Sequence, residues 1–287
     1  LGWCFLWMES LVVGAFLGPD DLGIYRVGQA FVVAIFGLTL SPLRPVLYSA
    51  FSAMEEDTDR IRNGLLKAIR ITCLIAIPTG FGMFVIGHEI GWLVFGGKWT
   101  GIGYIIGTLG LSYGLAWVVG SNGEAYRAIK RPDVTSKIML ISLIVYIPTY
   151  LVSIQYGLMA LVAMRVVLVL FGSAAHIVAG RRVIGLKASD LWKAVRWIFL
   201  ASVIMAFLVF NMTAVTDHWA RTWLKCTALV AIGATSYLVF VFPEWPLICE
   251  ILETIRGAIT RRLTARATLK AGTTVSEPTP TAQDPRP

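Results

Sequence analysis

The sequence predicts an all-α, polytopic membrane bundle of about eight transmembrane helices, and three observations carry that prediction. Apolar residues make up 56% and charged residues 15% of the 287-residue chain, and its mean hydropathy is +0.72. That leaves too little polar surface to cover a soluble core. The apolar residues fall in stretches of about 20, the length a helix needs to cross the hydrocarbon. Within stretches such as 138–147 and 158–171 the pattern does not alternate at period two, as a membrane-barrel strand would.

Spans are expected near residues 1–17, 24–43, 68–87, 102–120, 134–156, 158–179, 197–215 and 222–242. The first opens at Leu1 with no Met, basic leader or cleavage site ahead of it, which reads as a piece of a longer protein. Gly18-Pro-Asp-Asp-Leu-Gly23 is a turn by composition and delivers the chain to the second span. Asp57, Thr58 and Asp59 have N-cap chemistry. A helix is therefore expected to start at Arg60, run through Lys67 and Arg70 into the third span, and protrude beyond the bilayer. Pro78, Gly80 and Gly82 in that span, and Pro148 in the fifth, are candidate kink sites. The segment after His88 carries Trp92, Phe95 and Trp99, with Tyr104 beside them, aromatics suited to the headgroup layer. Small residues four apart, at Gly14/Gly18, Gly103/Gly107 and Gly110/Gly114, let helices approach closely. A short link, Gln155-Tyr-Gly157, joins the fifth and sixth spans. Pro243 and Pro246 end the eighth span and close a transmembrane lobe over residues 1–243. Within 244–270, Ile248, Ile251, Leu252, Ile255, Ile259 and Leu263 recur at helical spacing opposite Arg256, Arg261, Arg262 and Arg266. This is the pattern of a cytoplasmic amphipathic helix lying on anionic lipid. The Thr/Pro-rich end, 271–287, has nothing to bury and is expected to be disordered.

Charge sets the orientation. Of the 25 basic residues, the expected outer connections hold only Lys98, Arg221 and Lys225, and the spans hold Arg26 and Arg165. The rest lie in the inner connections and the tail, so both termini of the chain are expected on the cytoplasmic side. The formal charge of +8 is thus a topology signal, and no nucleic-acid partner is implied. Cys4, Cys73, Cys226 and Cys249 have no CxxC or Cys/His spacing and read as packing residues. His88, His176 and His218 are too scattered for a metal site, and His88-Glu89 lacks the second histidine of a zinc-protease helix. Neither catalysis, metal nor cofactor is expected.

The ionisable residues inside the spans carry the functional expectation, because such groups cost about 2.5–3.5 kcal/mol at mid-membrane and face a partner or a watery cavity. Glu9 lies near the middle of the first span, Arg26 just inside the outer end of the second, and Arg165 in the outer half of the sixth. Arg26 is close enough to the interface to snorkel. Glu9 either pairs with an arginine inside the bundle or serves a pathway. His176 fits an interfacial or packed histidine, and Gln29 and Gln155 fit interhelical hydrogen bonds.

Read in order, the motifs resemble those of the polysaccharide flippases, in the multidrug/oligosaccharidyl-lipid/polysaccharide exporter superfamily. The acidic residue and apolar run from Trp7 to Gly18, followed by Leu22-Gly-Ile-Tyr25, resemble the start of the family's C-terminal half. Val94-Phe-Gly-Gly-Lys-Trp99 resembles its Phe-Gly-x-x-Trp outer loop, and Gly157-Leu-Met-Ala-Leu161 its later outer link. The segment Glu124 to Pro132 resembles its Ala-x-Gly-Arg-Pro inner loop, with Lys130 where the family often has glycine; Arg26 likewise replaces a common small residue. The resemblance covers residues 1 to about 200. It implies one lobe of a two-lobe transporter that moves undecaprenyl-diphosphate-linked oligosaccharide across the bacterial inner membrane for exopolysaccharide, capsule or O-antigen synthesis. The implied partners are that lipid-linked substrate, membrane lipids, an N-terminal lobe on the same chain and the polysaccharide polymerase machinery. Arg165 and Arg26 are then candidate contacts to the diphosphate or glycan, because guanidinium binds phosphate bidentately, and Glu9 is a counter-ion or cation-coupling carboxylate. Two alternatives stand beside this. A membrane polysaccharide polymerase or glycosyltransferase would need a longer outer loop than any here, and a cation-coupled multidrug exporter would favour buried acids over arginines.

Overall fold

The computed structural model describes residues 2–54, 57–216, 222–250 and 253, with side chains from Trp7 onward. The chain divides into two compact units, 1–242 and 243–287. In the second, residues 245–250 are helical. The rest of the amphipathic helix expected in 244–270, and the tail at 271–287, lie outside the described residues.

The first unit is all-helical. It comprises α1 (Gly2–Phe16), α2 (Pro19–Leu40), α3 (Leu43–Ser52), α4 (Thr58–Phe95) and α5 (Ile102–Ala116). After these come α6 (Asn122–Ala128), α7 (Asp133–Ser153), a 3-10 turn at Ile154–Tyr156, α8 (Leu158–Val183), α9 (Ala188–Thr216) and α10 (Thr222–Phe240). Six of these helices are long and apolar enough to cross a membrane, and the shorter apolar helices α1 and α5 stand at the first and fourth expected spans. The chain is a multi-pass membrane protein. Its periphery is apolar, with Leu38, Ile144, Phe207, Phe210 and Val239 each more than half exposed, as a surface solvated by lipid requires.

Local sequence explains the element ends. Gly18 has φ +91°, which only glycine adopts without strain, and Pro19 follows at the first helical position of α2. The Asp57 side chain accepts hydrogen bonds from the backbone N–H groups of Asp59 and Arg60, both at 3.0 Å. The cap starts α4 two residues earlier than expected, and the helix then runs for 38 residues, well beyond the hydrocarbon thickness. The short helices α3 and α6 were not expected as separate elements. They pack on each other at the end of the bundle where the basic connections gather; there Arg62 approaches Gly185.

The centre is built on close backbone approach between α4 and α5. A Cβ on Gly87 would lie 2.6 Å from the Gly103 carbonyl oxygen and 2.9 Å from the Gly107 Cα, and one on Gly80 2.8 Å from the Gly110 carbonyl oxygen. The expected pairs Gly103/Gly107 and Gly110/Gly114 therefore meet a matching glycine series on α4. On its other faces α4 packs against α9 and α10, with Phe81 edge-on to Phe199 at 5.6 Å and Glu89 paired with Lys225 at 3.2 Å.

Pro78 sits inside α4, yet the backbone leaves helical geometry at Ile86 (φ −103°, ψ 17°), next to the tight contact at Gly87. Proline cannot bond to the carbonyl four residues back, here that of Leu74. The Tyr237 hydroxyl on α10 donates to that carbonyl at 2.9 Å, so a neighbouring helix satisfies what Pro78 leaves open. Lys130 is the non-glycine residue with positive φ, 59°, among the described residues. Where the family motif often has glycine, this backbone has the left-handed conformation that favours it.

Candidate functional site

Five helices converge on Glu9. It stands on α1 at 2% exposure, and its carboxylate is ringed by donors from three other helices. One oxygen accepts from the Tyr25 hydroxyl on α2. The other accepts from the Tyr150 hydroxyl on α7 and from the Arg165 guanidinium on α8. The fifth helix, α5, supplies Tyr113, whose ring centroid lies 5.5 Å from the same guanidinium. Gln29, one turn from Tyr25, donates to the Tyr25 oxygen at 3.2 Å, and Tyr146, one turn from Tyr150, packs edge-on to it at 5.9 Å.

An ionised carboxylate is acceptor-only, and here it meets one cation and two hydroxyls. In a low-dielectric interior such a pair persists only when the remaining lone pairs are satisfied as well. The tyrosines are what allow Glu9 and Arg165 to be buried together. Arg165 keeps its side chain 20% exposed against 3% for Glu9, so the pair is open on the arginine side. The structure thus shows the intrabundle pairing, one of the two options open for Glu9, and Arg165 directs its charge to Glu9.

Arg26 follows Tyr25 on α2 but does not join the pair. Its guanidinium donates to the Ser10 hydroxyl at 3.1 Å and reaches the Gln29 side-chain oxygen at 3.5 Å. It also lies 4.6 Å from the centroid of the Trp7 ring. These partners are all neutral. Glu9-Ser10 on α1 and Tyr25-Arg26 on α2 therefore form two adjacent strips, one holding a closed ion pair and one an arginine with no formal counter-charge among these contacts.

Gln29 was expected to bond between helices, but its hydrogen bonds run within α2, to Tyr25 and from Arg26; Tyr25, Tyr113 and Tyr150 were not foreseen as site residues. Their signal was faint. Tyr25 and Gln29, and Tyr146 and Tyr150, are polar-tipped residues one helical turn apart within apolar spans. His88 is exposed and His176 stacks on Tyr126 with rings nearly parallel, so neither histidine joins the Glu9 cluster. Among the described residues, no group of three His, Cys, Asp or Glu side chains is placed to hold a metal ion.

Comparison with known proteins places this arrangement. Residues 1–103 match the polysaccharide biosynthesis protein family. The chain is 24% identical over 245 residues to the teichuronic acid biosynthesis protein TuaB of Bacillus subtilis, covering 83% of this chain and 50% of that protein. It is 28% identical over 151 residues to the lipopolysaccharide biosynthesis protein WzxC of Escherichia coli, covering 52% and 30%. A probable low-salt glycan biosynthesis flippase of Haloferax volcanii is 22% identical over 213 residues, covering 73% and 44%. Among solved structures, the lipid II flippase MurJ in an inward closed conformation matches with a TM-score of 0.61 at 19% identity, covering 84% of this chain and 53% of that one. The chain spans about half the length, or less, of the relatives it matches. The resemblance to polysaccharide flippases drawn from the motifs is borne out.

Proposed function

We propose that this chain, a relative of the polysaccharide flippases, is one lobe of a two-lobe transporter. In this reading it moves undecaprenyl-diphosphate-linked oligosaccharide from the inner to the outer leaflet of a bacterial cytoplasmic membrane, for exopolysaccharide, capsule or O-antigen synthesis. The observation that carries it is an arginine, Arg26, whose partners among the described residues are all neutral, beside the Glu9–Arg165 ion pair. A diphosphate leaving water needs cationic replacements for its hydration, and Arg26 offers a guanidinium whose contacts are a hydroxyl, an amide and an indole face. The names of the matched flippases and the fold shared with MurJ support the same substrate class.

Three roles follow. Arg26 contacts the diphosphate or the first sugars. Glu9 and Arg165 hold α1, α2, α7 and α8 together and keep Arg26 placed, and Arg165 reaches the pathway through its exposed edge. Both termini of the chain face the cytoplasm, and the second lobe, membrane lipids and the polymerase machinery complete the partners. No bond is made or broken, so the work is desolvation and rocking of one lobe against the other.

The test is export in cells that lack the gene and carry the full-length protein. Arg26→Gln should cut polymer export at least tenfold at normal membrane abundance, with lipid-linked repeat units accumulating in the inner leaflet. Arg26→Lys, which keeps charge and loses the fork, should retain partial export. Wild-type export from Arg26→Gln would remove Arg26 from the pathway.

A further inference from the structure

A second polar site lies away from the Glu9 cluster. Between the C-terminal end of α5, the N-terminal part of α7 and the middle of α8, with Arg44 of α3 beside them, is a cleft of about 380 Å³. Its lining includes Arg44, Thr135, Ser142, Ser173 and His176, and no acidic residue. Two of these groups are buried polar atoms without a hydrogen-bond partner among the described residues: the Thr135 hydroxyl oxygen and the His176 Nδ1. Native proteins seldom leave such atoms unmatched, so each marks a place where something from outside the chain binds. Arg44 stacks over Trp117 at 5.3 Å from the ring centroid. A cation–π contact of this kind does not consume the N–H groups as a hydrogen bond would.

We infer that this cleft binds a phosphoryl-bearing anion. A planar cation, a hydroxyl, an imidazole nitrogen and two serines converge without a carboxylate to compete, and a tetrahedral oxyanion with several acceptor oxygens satisfies them together. Water would serve Thr135 and His176 but would bring no charge to Arg44. The cleft is large enough for a phosphate or a diphosphate, and the charge asymmetry of the chain assigns its mouth to the cytoplasmic face. This chemistry has three sources there: an anionic phospholipid headgroup, the diphosphate of a lipid carrier, or free phosphate. The inference stands on the cleft alone and does not depend on the transport proposal.

Titration calorimetry of the full-length protein in an uncharged detergent, with inorganic pyrophosphate as the probe, tests it. Saturable binding is expected, weakened at least tenfold by Arg44→Gln and by Thr135→Val, less by Arg44→Lys, and unchanged by Lys193→Gln, an exposed lysine outside the cleft. Unfolding midpoints measured without the probe should match wild type, which separates a lost contact from a lost fold. Repeating the titration in nanodiscs of phosphatidylcholine, with and without phosphatidylglycerol, distinguishes the sources. Binding suppressed by phosphatidylglycerol assigns the cleft to a phospholipid headgroup, and binding that persists assigns it to a soluble or carrier phosphate. The inference is overturned if wild type shows no saturable binding in either setting, or if Arg44→Gln and Thr135→Val bind as wild type does. Loss with Arg26→Gln alone would equally overturn it, by moving the anion to the other arginine.

Discussion

At the scale of single residues, burial of Glu9 with Arg165 sets a sharp expectation. Removing either partner leaves an uncompensated charge in the bundle, which costs about 3–5 kcal/mol. Glu9→Ala and Arg165→Ala should each lower membrane abundance and export, and the double variant should recover a large part of both. If export stays lost in the double variant at normal abundance, the guanidinium serves the substrate directly. The ionisable residues themselves were legible in the sequence because an apolar span makes a charge conspicuous. Their pairing was legible only as one of two options, since Arg165 lies 156 positions from Glu9. The tyrosines that complete the ring sit inside apolar runs, where a hydropathy window averages their hydroxyls away. Lys130 carries a smaller expectation. Its left-handed backbone costs an L-residue about 1–2 kcal/mol, and glycine gives back roughly half of that in chain entropy. Lys130→Gly should therefore raise the unfolding midpoint of the purified protein, and Lys130→Ala should not.

Elements follow from local rules where those rules are strong. The Asp57 cap and the apolar run behind it were enough to anticipate the protruding α4. The short α3 and α6 escaped because ten and seven residues give too few turns for a helical period to stand out. The break in α4 was legible only in part: Pro78 was visible, but its effect is absorbed by Tyr237 from a helix 163 positions away in sequence, and the irregularity falls at Ile86. That compensation is testable by a double-mutant cycle. Tyr237→Phe should cost about 0.6–1.7 kcal/mol, the range of hydrogen bonds between membrane helices. In a Pro78→Ala background, where the restored backbone N–H bonds to the Leu74 carbonyl itself, the cost should vanish. An equal cost in both backgrounds would mean that Tyr237 acts through packing alone.

For the whole molecule, the fold class and the family resemblance were both readable, the first from hydropathy and the second from motifs kept in order. Orientation is the expectation left for experiment. With Cys249, which is exposed, replaced by serine, cysteines introduced as Asp20→Cys and Lys98→Cys should react with a membrane-impermeant maleimide on intact cells. Ser189→Cys should react only after permeabilisation. Labelling of Ser189→Cys on intact cells would invert the assignment and move the Arg44 cleft to the opposite face.

The stretch of α4 from Thr58 to Ile86 is about 42 Å long at 1.5 Å per residue, and near its end Gly80 brings its backbone directly against that of α5 at Gly110 and Gly114. Two rods joined in this way bend far less than either alone, which makes the longer one a potential lever whose arm exceeds the hydrocarbon thickness. A swing of about ten degrees at one face carries the far tip through roughly 7 Å. A displacement at the basic cap of the bundle would then be carried along α4 as a stroke, and the irregular turn at Ile86, short of the Glu89–Lys225 pair, is where we expect it to be taken up.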